Sequence, residues 1–255
     1  MNKILTVNIG RTRYADAWEL QRKIFSARVE KTISDVLLFT EHDPVYTLGK
    51  GADENHVLAN DEELREKKID LFHIDRGGDV TFHGPGQIVG YPILDLSNYY
   101  HDIHRYLRDI EEVLIRVLSD YGIHAERSGG YTGVWVKDEK IAAIGVKVSR
   151  WVTMHGFAFN VATDLSYFDR IIPCGIFHKG VTSLQQILQQ QAVGHLGGVL
   201  QLGLLEDVEE RIAHHFGEVF GAEVKQGTVE GLNEMLSAAE HMHFQTGFAT
   251  EEKLS

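Results

Sequence analysis

Apolar positions recur at two periods along the chain. In residues 15–31, Trp18, Ile24, Phe25 and Val29 stand at near-helical spacing among Glu, Gln, Arg and Lys, which predicts an amphipathic surface helix. The longest such pattern covers residues 100–121. There Ile103, Leu107, Ile110, Leu114 and Val117 recur every three or four positions and Gly122 supplies a stop, so this helix is expected to pack across a sheet. A short polar helix over 61–68, capped by Asn60 or Asp61, and two later helices over 183–191 and 206–220 complete the helical set. Elsewhere the apolar runs are short and bounded by turn residues. Strands are expected at 35–40, 69–74 and 87–94, at 134–136 and 141–148 as a hairpin about 137–139, and at 154–161 beside it. Pro44 after His42-Asp43 marks a turn. Strands that follow one another without intervening helices imply an α+β fold with a mixed, largely antiparallel sheet packed with helices. Residues 194–203 read as a loop, and the weak periodicity of 227–255 as a tail, partly helical near 232–239.

Length and charge narrow the function classes. At 255 residues the chain suits one compact domain, taken as residues 1–220, with an appendage over 221–255. A net charge of −12 opposes binding to nucleic acid or to an anionic membrane. The apolar runs are far shorter than the roughly 20 residues that span a bilayer, and residues 1–10 lack a signal-peptide core. A cytoplasmic protein is therefore expected. Cys174 is the one cysteine, which permits neither an internal disulfide nor a cysteine-based metal cage and fits a reducing compartment.

Two features could carry chemistry. Arg76-Gly-Gly-Asp-Val-Thr-Phe-His-Gly-Pro-Gly-Gln87 holds four glycines that let the backbone approach a ligand, and Thr81 and His83 share a face if 80–83 is extended. It is neither a Walker loop nor a dinucleotide fingerprint; without a ligand it would be a glycine-rich hairpin. Cys174, bracketed by Pro173 and Gly175, is either a small buried hydrophobe or a nucleophile. As a nucleophile it needs a nearby cation or base to populate the thiolate, and His83, Lys140 and His155 are candidates. Lys140, following Asp138-Glu139, also reads as a hairpin lysine paired with those carboxylates. The pairs His101/His104, His214/His215 and His241/His243 match no recognised metal pattern, so they are taken as surface or packed histidines and no metal is expected.

Taken together, Glu41-His-Asp-Pro-Val-Tyr-Thr-Leu-Gly49, the 76–87 loop, Lys140-Ile-Ala-Ala-Ile-Gly145, His155-Gly-Phe-Ala-Phe-Asn160, Asp164-Leu165 and Pro173-Cys-Gly175 resemble, in order, the motifs of lipoyl(octanoyl) transferases. The resemblance covers about residues 5–220 and is most specific in the Arg-Gly-Gly loop and the spacing from Lys140 to Cys174. It implies a fold similar to the catalytic module of biotin and lipoate protein ligases. It also implies transfer of an octanoyl group from octanoyl-acyl carrier protein to a lysine of lipoyl domains, in 2-oxoacid dehydrogenase complexes and the glycine-cleavage H protein. By position, Cys174 would be the acyl-accepting nucleophile and Lys140 the group that tunes it. Arg76, Gly77, Gly78, Asp79, Val80, Thr81, Phe82, His83, Ala143, Ile144, Gly145, Gly156, Phe157 and Ala158 would line the acyl pocket.

Glycine and alanine at 142–145 and 156–158 suit a wall for a straight aliphatic chain. Thioester exchange followed by amide formation needs no ATP, so no cofactor is expected. A monomer is expected, with Lys147, Arg150 and Lys179 as the positive patch for an acidic carrier and the 221–255 extension dispensable for chemistry. The rival readings are an ATP-dependent lipoate or biotin ligase, a non-catalytic acyl-carrier-docking module, and a Cys-His thioesterase.

Overall fold

The computed structural model describes residues 1–172, 180–191 and 203–251. Its centre is a mixed sheet of nine strands, β1 (Asn2–Thr12), β2 (Asp35–His42), β6 (Gln87–Ile93), β7 (Glu126–Ser128), β8 (Tyr131–Val136), β9 (Glu139–Ser149), β10 (Val152–Asn160), β11 (Gly180–Val181) and β12 (Ala222–Gln226). Their order is β12-β1-β2-β6-β10-β9-β8-β7, with β11 parallel to the start of β9. Both partners of β1 are parallel to it, and the run from β2 to β7 is antiparallel. A smaller sheet in the order β4-β3-β5 joins β3 (Val45–Leu48), β4 (Asp70–His73) and β5 (Val80–His83). The α+β reading and the mostly antiparallel sheet are therefore observed.

Strand alternation divides the core between two helical layers. In β2, Leu37 and Phe39 face one side, against Ile110, Leu114 and Val117 of α3 (Ile103–Asp120) and Val208, Ile212 and Phe216 of α5 (Leu204–Phe220). Val36 and Leu38 face the other side, against Ala17 and Ile24 of α1 (Tyr14–Val29). This two-sided burial is why β2 reads in sequence as a continuous apolar run. The short helices behave as their caps predict. Asn60 caps α2 (Asp61–Glu66) with a reciprocal Glu63 contact, and Ser183 accepts from Gln186 at the start of α4 (Leu184–Gln191). The segment 192–202, most of the expected loop, lies outside the described residues.

Two expectations change. Ile103 and Leu107, assigned by spacing to the packed stripe of α3, are not in the buried core; that stripe is Tyr106, Ile110, Val113, Leu114, Val117 and Leu118. The larger difference is the tail. Residues 222–226 form β12, which pairs with β1 along Asn2–Thr6, and α6 (Val229–Glu251) lays Leu232, Leu236 and Ala239 into the same apolar cluster as α1. The structure thus continues the domain past residue 220. Leu232, Leu236 and Ala239 stand at helical spacing with Val229 and Met235 beside them, but Ala, Met and Phe are spread around the rest of α6, so no single apolar face stands out in the sequence.

Two stability measurements follow. Leu232 is fully buried, so Leu232→Ala is expected to cost about 2–5 kcal/mol in urea unfolding; a change below about 0.5 kcal/mol would show that the extension is not part of the core. Glu209 of α5 is pushed from its ordinary 4.5 up to about 7 by burial, against the pull of its Asn8 hydrogen bonds and with help from Glu206 and Glu41. The folded state therefore binds the proton more tightly than the unfolded chain, and stability falls as pH rises from about 4.5 through 7. Glu209→Gln should flatten that decline in melting temperature; parallel curves for the two proteins would contradict the assignment.

Candidate active site

The 76–83 segment is tied down at both ends of its glycine run. The Arg76 carbonyl accepts from the Lys50 N–H at 2.9 Å, the Gly78 carbonyl from Gly51 at 3.1 Å, and Gly77 N–H donates to the Val146 carbonyl of β9 at 3.0 Å. This contact needs Gly145. A Cβ there would stand 2.9 Å from both Arg76 Cδ and the Gly77 oxygen, so any side chain would push the loop off β9. Gly156 answers a different demand, because its Cβ would meet the Gly90 oxygen of β6 at 2.1 Å. The two glycines face each other across β9 and β10, and each is required by close approach of neighbouring atoms.

Between this loop and strands β6, β10 and β9 lies a cavity of about 460 Å³. Arg76, Gly77, Gly78, Asp79, Val80, Thr81, His83, Lys140, Ala143, Ile144, Gly145, Gly156, Phe157 and Ala158 line it. Phe82 is the exception. In extended β5 it faces away from His83 and stacks on Tyr167 with ring centroids 4.4 Å apart. Sequence reasoning missed Tyr14, Tyr91, Gln87 and Asn160 as lining residues, and Ile103 and Tyr131, both about 40% exposed. Gln87 and Asn160 stood inside the motifs already singled out. Tyr14 and Ile103 carried no local signal, because only the tertiary fold brings their helix ends to the cavity.

A buried hydrogen-bond chain with one polarity runs beneath this wall. Arg76 Nη2 donates to the Thr47 carbonyl and hydroxyl at 2.8 and 3.0 Å. The Thr47 hydroxyl donates to His83 Nε2 at 3.4 Å, and His83 Nδ1–H to Gln87 Oε1 at 2.8 Å. Gln87 Nε2 donates to Asn160 Oδ1 at 2.9 Å, Asn160 Nδ2 to the Thr182 carbonyl at 3.1 Å, and Thr182 N–H to the Lys140 carbonyl at 3.1 Å. The amide and tautomer orientations follow from the Phe82 and Thr182 carbonyls, which can only accept: Gln87 Nε2 also donates to the Phe82 carbonyl at 3.1 Å, leaving its Oε1 to accept from His83 Nδ1–H. Burial holds His83 well below its usual pKa, with the neighbouring His42 adding to the effect. It is therefore neutral, and both of its nitrogens are engaged.

At one end of the cavity Lys140 is buried, its ammonium 4.8 Å from the centroid of the Trp135 ring across the hairpin. Val181 of β11 pairs with it. Cys174 lies outside the described residues, as does Lys179. The chain before that gap is fixed by Ile172 N–H to the His56 carbonyl at 2.8 Å, and the chain after it by β11 against Glu139 and Lys140. His155 sits opposite Val146, six residues along β9 from Lys140 and about 20 Å away, too far to share a proton with groups at the Lys140 end. Lys147 is also at that distant end, 2.5 Å from Asp75, so it is committed to an ion pair rather than offered to a carrier. Among the described residues, His214, His215 and Glu218 bring potential ligand atoms within 4.8 Å of one another, on α5 and outside the cavity. His215 is already held by Asp120 and Glu218.

Comparison with known proteins places this architecture. A lipoate protein ligase from Thermoplasma acidophilum superposes with a TM-score of 0.62 at 15% identity, covering 93% of this chain and 92% of its own. Lipoate-protein ligase A bound with ATP gives 0.59 at 14% identity, with 93% of each chain covered. At such identities these likenesses define the fold alone. The family model described as the lipoyl protein ligase A/B catalytic domain matches residues 13–202. Among curated proteins, the octanoyltransferase of Christiangramia forsetii is 48% identical, over 88% of this chain and 99% of its own length. That of Rubrobacter xylanophilus is 51% identical, over 83% and 91%. The chain belongs to the lipoyl protein ligase A/B catalytic domain family and, within it, to the octanoyltransferases.

The hydrogen-bond chain yields a test. Asn160→Leu would leave one hydrogen of the Gln87 amide, whose Nε2 keeps its bond to the Phe82 carbonyl, and the Thr182 carbonyl without these partners, at a cost of about 1–3 kcal/mol for each unsatisfied group. The variant should unfold at lower urea and lose transfer activity, because β11 beside Lys140 loses its tie. Unchanged stability would show that the chain is not closed as described.

Proposed function

We propose that the enzyme takes an octanoyl group from octanoyl-acyl carrier protein onto Cys174 and passes it to a lysine of a lipoyl domain. The observation that carries this reading is the cavity walled by the 76–83 loop and by Ala143, Gly145 and Ala158, with buried Lys140 at one end, in a chain whose relatives are octanoyltransferases. Ala143 and Ala158 pair across β9 and β10, as do Gly145 and Gly156, so the strand floor between them carries little side-chain bulk. The lipoyl domains of 2-oxoacid dehydrogenase complexes and the H protein are the acceptors in this reading, and a cytoplasmic monomer its form. Among the described residues no helix is long and apolar enough to cross a membrane.

The reaction runs in two balanced steps. The Cys174 thiolate, favoured by the Lys140 ammonium, attacks the thioester carbonyl, and the carrier sulfur leaves with the proton that the Lys140 ammonium gives up. The acceptor amine then attacks the enzyme thioester, loses a proton, and expels Cys174 as the thiolate. An amine with a pKa near 10.4 is almost wholly protonated at neutral pH, so the second step needs a base. Lys140, which has given its proton to the carrier sulfur in the first step, takes one back here. His83 has no free nitrogen and His155 lies at the other end of the cavity. No nucleotide enters either step, because thioester exchange is nearly balanced and amide formation is downhill.

Cys174→Ala should abolish lipoyl-domain octanoylation in the absence of ATP. Lys140→Ala should slow it by about 10²-fold or more, the usual scale for a positioned acid or base. Product from Cys174→Ala at near the wild-type rate would contradict covalent transfer, and a requirement for ATP would favour a ligase.

A further inference from the structure

Among the described residues, six that are not glycine adopt left-handed backbone: Lys31, Lys68, Lys137, Arg150, Trp151 and His155. Five of them sit at helix ends or in the turns of the β8–β9 and β9–β10 hairpins, where such conformations are ordinary. His155, at φ 59°, lies inside β10. Its strand pairs with β6 only from Phe157 onward, and its own N–H leaves the ladder to donate to Gln21 Oε1 of α1 at 3.1 Å. The side chain is 2% exposed and its Nδ1 has no hydrogen-bond partner. A left-handed backbone and an unsatisfied buried nitrogen both oppose folding, and here they fall on one residue that also lines the cavity.

What this arrangement achieves is a grip on the residue before Arg76. His155 Nε2–H donates to Asp75 Oδ1 at 2.8 Å, while Lys147 of β9 holds Asp75 Oδ2 at 2.5 Å. Burial alone would raise the Asp75 carboxyl, but these two hydrogen bonds outweigh it and hold it at about 2, so the anion persists at any working pH. From that anchored point the chain turns Arg76 the other way, to Thr47, and Gly77 N–H reaches the Val146 carbonyl. We propose that His155 is a positioning residue for octanoyl transfer: with Lys147 it clamps Asp75 and thereby seats the Arg76–Gly77–Gly78 wall of the acyl cavity on β9. The role rests on the reading of that cavity as the acyl pocket. His155 acts through the loop and not on the reacting atoms, from which the length of β9 separates it.

The test uses the full chain with His155→Ala, Asp75→Asn, Asp75→Ala and the double variant His155→Ala/Asp75→Ala, each checked for folding by thermal melting. Two readouts are taken, the hydrogen exchange of the Gly77 amide by NMR and steady-state kinetics with octanoyl carrier protein. In His155→Ala and Asp75→Ala the Gly77 amide should exchange about tenfold faster or more, and KM should rise about tenfold with kcat within about threefold. Asp75→Asn keeps an acceptor for one partner and should fall between these and wild type. The double variant should be no worse than either single change, as two parts of one clamp require. Unchanged Gly77 exchange in His155→Ala, additive losses in the double variant, or a fall in kcat at constant KM would overturn the clamp. If Gly77 exchange quickens while KM stays at the wild-type value, the clamp does not act on catalysis and the positioning role fails. Failure of the acyl-enzyme reading itself shows separately, as product from Cys174→Ala with the Gly77 result unaffected.

Discussion

The one-directional hydrogen-bond chain from Arg76 to the Lys140 carbonyl is the constraint on which the site depends. It crosses from the small sheet, through β6 and β10, to the edge where β11 meets β9. Each member is buried, so each donor must find its acceptor inside the protein. Reversing a single link would leave two donors or two acceptors facing each other. The chain therefore fixes the Gln87 and Asn160 rotamers, the neutral tautomer of His83 and the placement of β11 together. His42, lowered to about 4 by burial, keeps the adjoining interior neutral as it shares its Nε2 with the Tyr91 hydroxyl at 2.6 Å.

Close approach is the second constraint, and it accounts for the glycines of the motifs without any ligand. Gly49 and Gly145 admit Arg76 and the Gly77–Gly78 carbonyls, and Gly90 admits the Phe157 ring, whose nearest atom would be 2.1 Å from a Cβ. The cavity floor is thin in side chains because the loop above and the strand beside it already occupy the space. The cavity beside them then results from packing that would be needed anyway.

The legible part of this protein was the part with strong local signals. The amphipathic helix α3, the β8–β9–β10 meander and the Asn60 cap were each marked by periodicity, turn residues or a capping pair. The 76–83 loop and Lys140 stood out by composition and by their resemblance to known motifs, and they meet at one cavity. What could not be read was tertiary in origin. Phe82 belongs to the same motif as His83, but strand alternation sends it to the Tyr167 ring instead. Lys147 looked like a free surface cation until Asp75 was seen beside it. The β12–α6 extension is held by pairing to β1, a partner more than two hundred residues away in the chain, and no local pattern announces such a pairing.

The central claim is that one cysteine carries the acyl group between two protein partners. The most direct measurement is the intact mass of the wild-type enzyme after brief mixing with octanoyl-acyl carrier protein, before and after addition of an apo lipoyl domain. The account predicts one octanoyl adduct, mapped by peptide analysis to Cys174, that disappears as the lipoyl domain gains the same mass. A lipoyl domain that becomes octanoylated while the enzyme never gains that mass, or an adduct on another residue that discharges at the same rate, would contradict it.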